Sequence, residues 1–158
     1  MEYINQIKFV LSILVSLSAG FIGSVFTSQT VDTWYTGLQL PWFAPPGYVI
    51  SVIWTVLYIL IGISLYSIIT KDLSERKVQV ALVIFGIQLF LNAIWSYLFF
   101  GLMSPLYGLM GIVALWIAIA ATIYKFHSIS RRASYLLYPY IVWVTIAMVL
   151  NYSIYIMN

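Results

Sequence analysis

Residues 71–100 read KDLSERKVQVALVIFGIQLFLNAIWSYLFF. The charges all lie in the first seven residues, and from Val78 to Phe100 there is no Asp, Glu, Lys, Arg or His. A helix needs about 20 mostly apolar residues to cross the hydrocarbon core of a bilayer. In lipid every backbone N–H and C=O must be satisfied within the structure, which leaves helices or closed barrels. The run is continuous and far too long for an alternating barrel strand, so it predicts a membrane-spanning helix over Val78–Phe100.

Working outward, four more segments pass the same test: Ile7–Thr27, Tyr48–Thr70, Pro105–Phe126 and Ser134–Met157. The expected fold is an all-α membrane protein: a bundle of five transmembrane helices forming a single domain over residues 1–158. Composition agrees. Of 158 residues 63% are hydrophobic and 7% charged, against roughly 25% charged in a soluble domain. Lys8, then Lys71, Arg76 and Lys77, then Lys125, Arg131 and Arg132 fall on alternate connections, all on one side of the bundle. The positive-inside rule predicts a cytoplasmic N-terminus and an outer C-terminus.

The connection over residues 28–47, SQTVDTWYTGLQLPWFAPPG, is the longest. A loop of about 20 residues in a compact protein is usually functional or disordered. Trp34, Tyr35, Leu38, Trp42 and Phe43 argue against disorder. They suggest a cap that packs down onto the helix ends, with an interfacial aromatic anchor as the alternative. Polar side chains inside spans are costly and turn toward the bundle or a cavity. Gln88 and Asn92 are four apart and share a helix face. Trp54 and Tyr58 share a face of the second span, as do Trp143, Ala147 and Asn151 of the fifth. Interhelical hydrogen bonding and ligand contact both explain the amides. Core filling and a ligand platform both explain mid-span Trp54 and Trp143. Gly108, Gly111, Ala114, Ala118 and Ala121 make a small-residue stripe that suits packing within the bundle, with a homodimer seam as the alternative.

Several functions are excluded. No Cys is present, which removes thiolate chemistry and disulfides. No acid lies within a span, and Lys and Arg occur only at span ends, against an ion or proton pathway. One histidine, His127, cannot make a metal site. Asp32 stands alone on the outer side, where a turn or helix cap is its ordinary role. Neither a catalytic constellation nor a cofactor site is expected, and no nucleic-acid motif is visible.

Three ordered stretches carry a resemblance: WYTGLQLPWFAPPGYVISVIWTVLY (34–58), QLFLNAIWSYLFFG (88–101) and LLYPYIVWVTIAMVLN (136–151). They resemble the signature stretches of the translocator protein family, also called tryptophan-rich sensory proteins or peripheral-type benzodiazepine receptors. The resemblance implies a five-helix bundle with a pocket under the first loop. It implies binding of porphyrins such as protoporphyrin IX, and of isoquinoline carboxamides and benzodiazepines. Light-dependent porphyrin degradation and a homodimer are implied by the same resemblance, while the short chain and its basic N-side loops suggest a bacterial plasma membrane. Carried over by motif, the ligand-facing residues are Tyr35, Leu38, Pro45, Trp54, Asn92, Phe99, Trp143 and Ala147. Two departures are visible. The C-terminal VLNYSIYIMN lacks the basic residue of the family's sterol motif, and Leu40 stands where a basic residue precedes the family's Pro-Pro segment. The expected function is a membrane receptor for porphyrins and similar flat apolar ligands, in contact with membrane lipids. The alternative is a transporter of such ligands.

Overall fold

The computed structural model describes residues 2–158. Among the described residues the regular structure is entirely helical. In chain order the helices are α1 (Glu2–Thr30), α2 (Gly47–Ile69), α3 (Arg76–Ser96), α4 (Pro105–His127), α5 (Arg131–Tyr135) and α6 (Tyr138–Met157). Five segments are long and apolar enough to cross a membrane, the fifth being α5 and α6 together over Arg131–Met157. The protein is an integral membrane helix bundle.

In lipid the large side chains gain nothing by turning inward, and close backbone approach decides which faces meet. α1 shows this plainly. Ser12, Ser16, Ala19 and Gly23 are buried at three- and four-residue spacing, while Phe9, Leu11, Leu14, Phe21 and Val25 face outward. α2 packs on that small face. A Cβ added to Gly62 would lie 2.7 Å from the Ile13 Cα, so only glycine permits this crossing. α4 uses Gly108, Gly111 and Ala118 in the same way, but Ala114 is exposed and Ala121 half-buried, so only part of its small-residue stripe enters the bundle.

Besides the start of α1 at Glu2 rather than Ile7, the helix ends differ from the sequence reading by three or more residues at three places. α1 runs to Thr30 rather than Thr27, since the hydroxyls of its polar end find carbonyl acceptors, two in the preceding turn and one on the turn that follows α3. Thr27 Oγ1 donates to the Gly23 carbonyl at 3.2 Å, Ser28 Oγ to that of Val25 at 3.1 Å, and Thr30 Oγ1 to the Phe100 carbonyl at 3.1 Å. The first connection therefore spans 31–46, and a 3₁₀ turn at Tyr35–Gly37 orders part of it. α3 widens into a π-helical turn over Tyr97–Gly101, with Leu102 N–H donating to the Tyr97 carbonyl at 2.8 Å. Met103 then adopts φ 48°, a left-handed conformation uncommon for a side chain other than glycine. Ser104 caps α4 ahead of Pro105. Finally, the fifth span is broken between α5 and α6. Pro139, in the first turn of α6, has no N–H, and its ring would clash with the carbonyl four residues back if the helix continued.

Candidate functional site

α2, α3 and α6 meet through side chains in the middle of the bundle. Tyr58 donates its hydroxyl to Asn92 Oδ1 at 2.6 Å. Asn92 Nδ2 donates to the Tyr140 hydroxyl at 2.9 Å, and that hydroxyl donates to Gln88 Oε1 at 3.0 Å. Every donor in this chain points the same way. Gln88 must accept, so its Nε2 ends the chain, buried and without a partner. The spacing of Gln88 and Asn92 places both amides on one face of α3. Tyr140 reaches both, because it begins the buried stripe of α6 that continues through Val144, Asn151 and Ile154.

Aromatic rings line this network. Trp54 stacks on Tyr58, one helical turn away, with centroids 5.4 Å apart and planes at 25°. Its edge meets Tyr140 at 6.1 Å and 70°. Trp143 and Ala147 flank the buried stripe of α6 and pack against the main core while half-buried. The indole Nε1 of Trp143 is buried with no hydrogen-bond partner. Trp143 also lines an apolar groove of about 370 Å³ between α2 and α6, with Ile53, Val56, Leu57, Val142 and Ile146.

A second aromatic layer lies toward the first connection. Trp34 and Tyr35 rest on Phe99 and Phe100 of the π-helical turn, at 5.4–6.5 Å between centroids, and Leu38 and Ile154 join them. Trp95 connects the layers. It stacks on Phe99 at 5.5 Å and 18°, packs against both clusters, and donates Nε1–H to the Gly108 carbonyl at 3.0 Å. Burial raises the Tyr35 phenol above its ordinary pKa. The middle of the connection is tied to the far end of the chain. Gln39 N–H donates to Asn158 Oδ1 at 2.9 Å, and Asn158 Nδ2 donates back to the Gln39 carbonyl at 3.1 Å.

The candidate residues thus divide. Trp54, Asn92, Trp143 and Ala147 belong to the central layer, and Tyr35, Leu38 and Phe99 to the upper one. Pro45 is half-buried just before Pro46, which caps α2, and is joined to neither layer by an aromatic contact or side-chain hydrogen bond. Trp42, in the same connection, is 95% exposed and packs only against Phe43 among the rings. Tyr140 and Asn158 escaped the sequence reading. The heptad-like spacing of Tyr140, Val144 and Asn151 was an available signal for the first. No local pattern marks the second.

The profile of the TspO/MBR family matches residues 12–157. The chain belongs to the TspO/MBR family. It is 46% identical to the tryptophan-rich protein TspO of Archaeoglobus fulgidus, over 98% of this chain and 99% of the relative. It is 42% identical to a protein of the same name from Chlorobaculum tepidum, over 94% of each. The translocator protein of Bos taurus is 35% identical over 86% of this chain and 81% of its own length. The tryptophans of this TspO/MBR protein lie on four helices, α2, α3, α4 and α6, and in the first connection. Trp34, Trp54, Trp95 and Trp143 are half-buried around the two layers, and Trp116 donates its indole N–H to Thr145 Oγ1 on α6 at 2.9 Å.

Proposed function

We propose that this TspO/MBR protein is a membrane receptor for porphyrins and other flat apolar ligands of the isoquinoline carboxamide kind. The observation that supports it most is the central layer. The stacked Trp54–Tyr58 pair and the edge-on Tyr140 offer aromatic area, and the unpartnered N–H groups of Trp143 and Gln88 are donors with nothing to bind. Buried polar groups are nearly always paired, so two orphan donors beside aromatic faces suit a ligand with acceptor atoms at its edge. A porphyrin combines a wide aromatic plate with two carboxylates. Trp54, Asn92, Trp143 and Ala147 form the inner wall of the proposed site, and Tyr35, Leu38, Pro45 and Phe99 the side nearer the connection. With no cation in the middle of a span, the carboxylates stay near water and affinity is modest.

The groove between α2 and α6 gives an apolar ligand a sideways route from the lipid to Trp143. On the positive-inside rule the N-terminus faces the cytoplasm, and a plasma membrane and a homodimer complete the proposal. Tryptophan fluorescence during titration with protoporphyrin IX tests the reading in parent and Trp143→Phe protein. Saturable quenching in the parent, with a weaker and right-shifted curve in the variant, supports it. Identical curves would exclude Trp143 from the site.

A further inference from the structure

At the opposite, basic end of the bundle, α4 and the start of α6 enclose a groove of about 570 Å³. Ala120, Ile123, Tyr124, Lys125, His127 and Tyr138 line it. The wall changes character along α4. Ala120 and Ile123 are apolar and lie one to two turns inside the helix end, while Lys125, His127 and the two tyrosines sit at the end itself. That gradient matches the boundary between acyl chains and headgroups, where tyrosines concentrate. The electrostatics are one-sided. No Asp or Glu occurs from Arg76 to the end of the chain, while Lys125, Arg131 and Arg132 cluster here. Among the described residues the one salt bridge is Lys77–Glu75, so Lys125 has no carboxylate partner; its ammonium lies 5.7 Å from the Tyr124 ring centre.

We infer that this groove binds an anionic phospholipid of the leaflet at the basic end. Its phosphate pairs with Lys125, the Tyr138 hydroxyl serves the glycerol region, and an acyl chain runs along Ala120 and Ile123. Basic pockets between spans at headgroup depth are where such headgroups bind. The groove's apolar floor is what a lipid uses and a free anion does not. The site is separate from the aromatic layers and stands whether or not they bind porphyrin.

The test is native mass spectrometry of the full chain released from vesicles of phosphatidylcholine and phosphatidylglycerol. The parent should retain phosphatidylglycerol over phosphatidylcholine. Lys125→Gln should cut that preference about fivefold, the worth of one basic residue near a membrane surface, and Lys125→Arg should restore it. Ala120→Phe, which keeps every charge and fills the floor, should lower retention as well. Arg131→Gln with Arg132→Gln, which alters the surrounding field but not the groove lining, should lower it less than Lys125→Gln does. The inference is overturned if the arginine pair matters as much as Lys125, or if Ala120→Phe retains the lipid fully. It is also overturned if millimolar inorganic phosphate displaces the lipid, since the groove would then be an anion site. Thermal melts of each variant identify any that fail to fold, and the Lys125→Arg rescue is read independently of them.

Discussion

Asn92 is the hinge of the central network, and replacing it has a calculable cost. Asn92→Ala removes the bond from Tyr58 at 2.6 Å and the bond to Tyr140 at 2.9 Å. Interhelical hydrogen bonds in membrane proteins average about 0.6 kcal/mol each, so the two together contribute about 1.2 kcal/mol. The Tyr58 hydroxyl is then left buried with no acceptor, which costs a further ~1 kcal/mol or more. Tyr140 keeps its bond to Gln88, so its loss is the smaller one. The expected destabilisation is about 2–3 kcal/mol. Tyr58→Phe removes one bond without changing shape and should cost about 1 kcal/mol. The assay is reversible unfolding in mixed micelles of parent, both single variants and the double variant. The cycle isolates the Tyr58–Asn92 coupling, expected at about 0.6–1.5 kcal/mol. Coupling below about 0.3 kcal/mol would show that the 2.6 Å contact contributes nothing in the membrane, and the network would no longer explain how α2 is held to α3 and α6.

Other consequences follow from packing and charge. Gly62→Ala brings a Cβ against the Ile13 backbone and should lower the melting temperature through about 1–3 kcal/mol of overpacking. Gly86→Ala meets nothing within 4 Å and should be neutral or stabilising by up to ~1 kcal/mol. Tyr35 has its phenol raised by burial, so the folded connection holds that proton more tightly than the unfolded one. The stability this contributes is complete below the ordinary tyrosine pKa and is lost as pH rises from there through the raised value of the folded state. Proteolysis of the connection should therefore accelerate above about pH 10 in the parent and show a smaller pH effect in Tyr35→Phe. Asn158→Ala removes both bonds to Gln39 and should speed amide exchange at Gln39 several-fold with little change in global stability.

The number of membrane spans was legible because two independent patterns agree: apolar length, and cations on alternate connections. Helix ends were less legible where the hydroxyls of a polar stretch find carbonyl acceptors, as at Thr27–Thr30, or where one proline splits an apolar run, as at Pro139. The π-helical turn at Tyr97–Gly101 has no local signal, because it arises where α3 meets α1 and α4. The same division holds within the aromatic layers. Trp54 with Tyr58, and Gln88 with Asn92, are visible from spacing alone since each pair shares a helix face. Which face meets which is not local information. Tyr140 is central because the buried stripe of α6 meets the amide face of α3, and Asn158 finds its partner 119 residues away in sequence.

The central claim is that the ring of Trp54 forms part of a ligand wall, and protoporphyrin IX affinity in lipid nanodiscs measures it most directly. Trp54→Leu keeps apolar bulk but removes the aromatic face, whereas Trp42→Leu alters a side chain that is 95% exposed. The account predicts a loss of about 2- to 13-fold for Trp54→Leu, the worth of one aromatic stacking contact, and less than about twofold for Trp42→Leu. Equal affinities for the parent and Trp54→Leu, or a larger loss from Trp42→Leu, would contradict it.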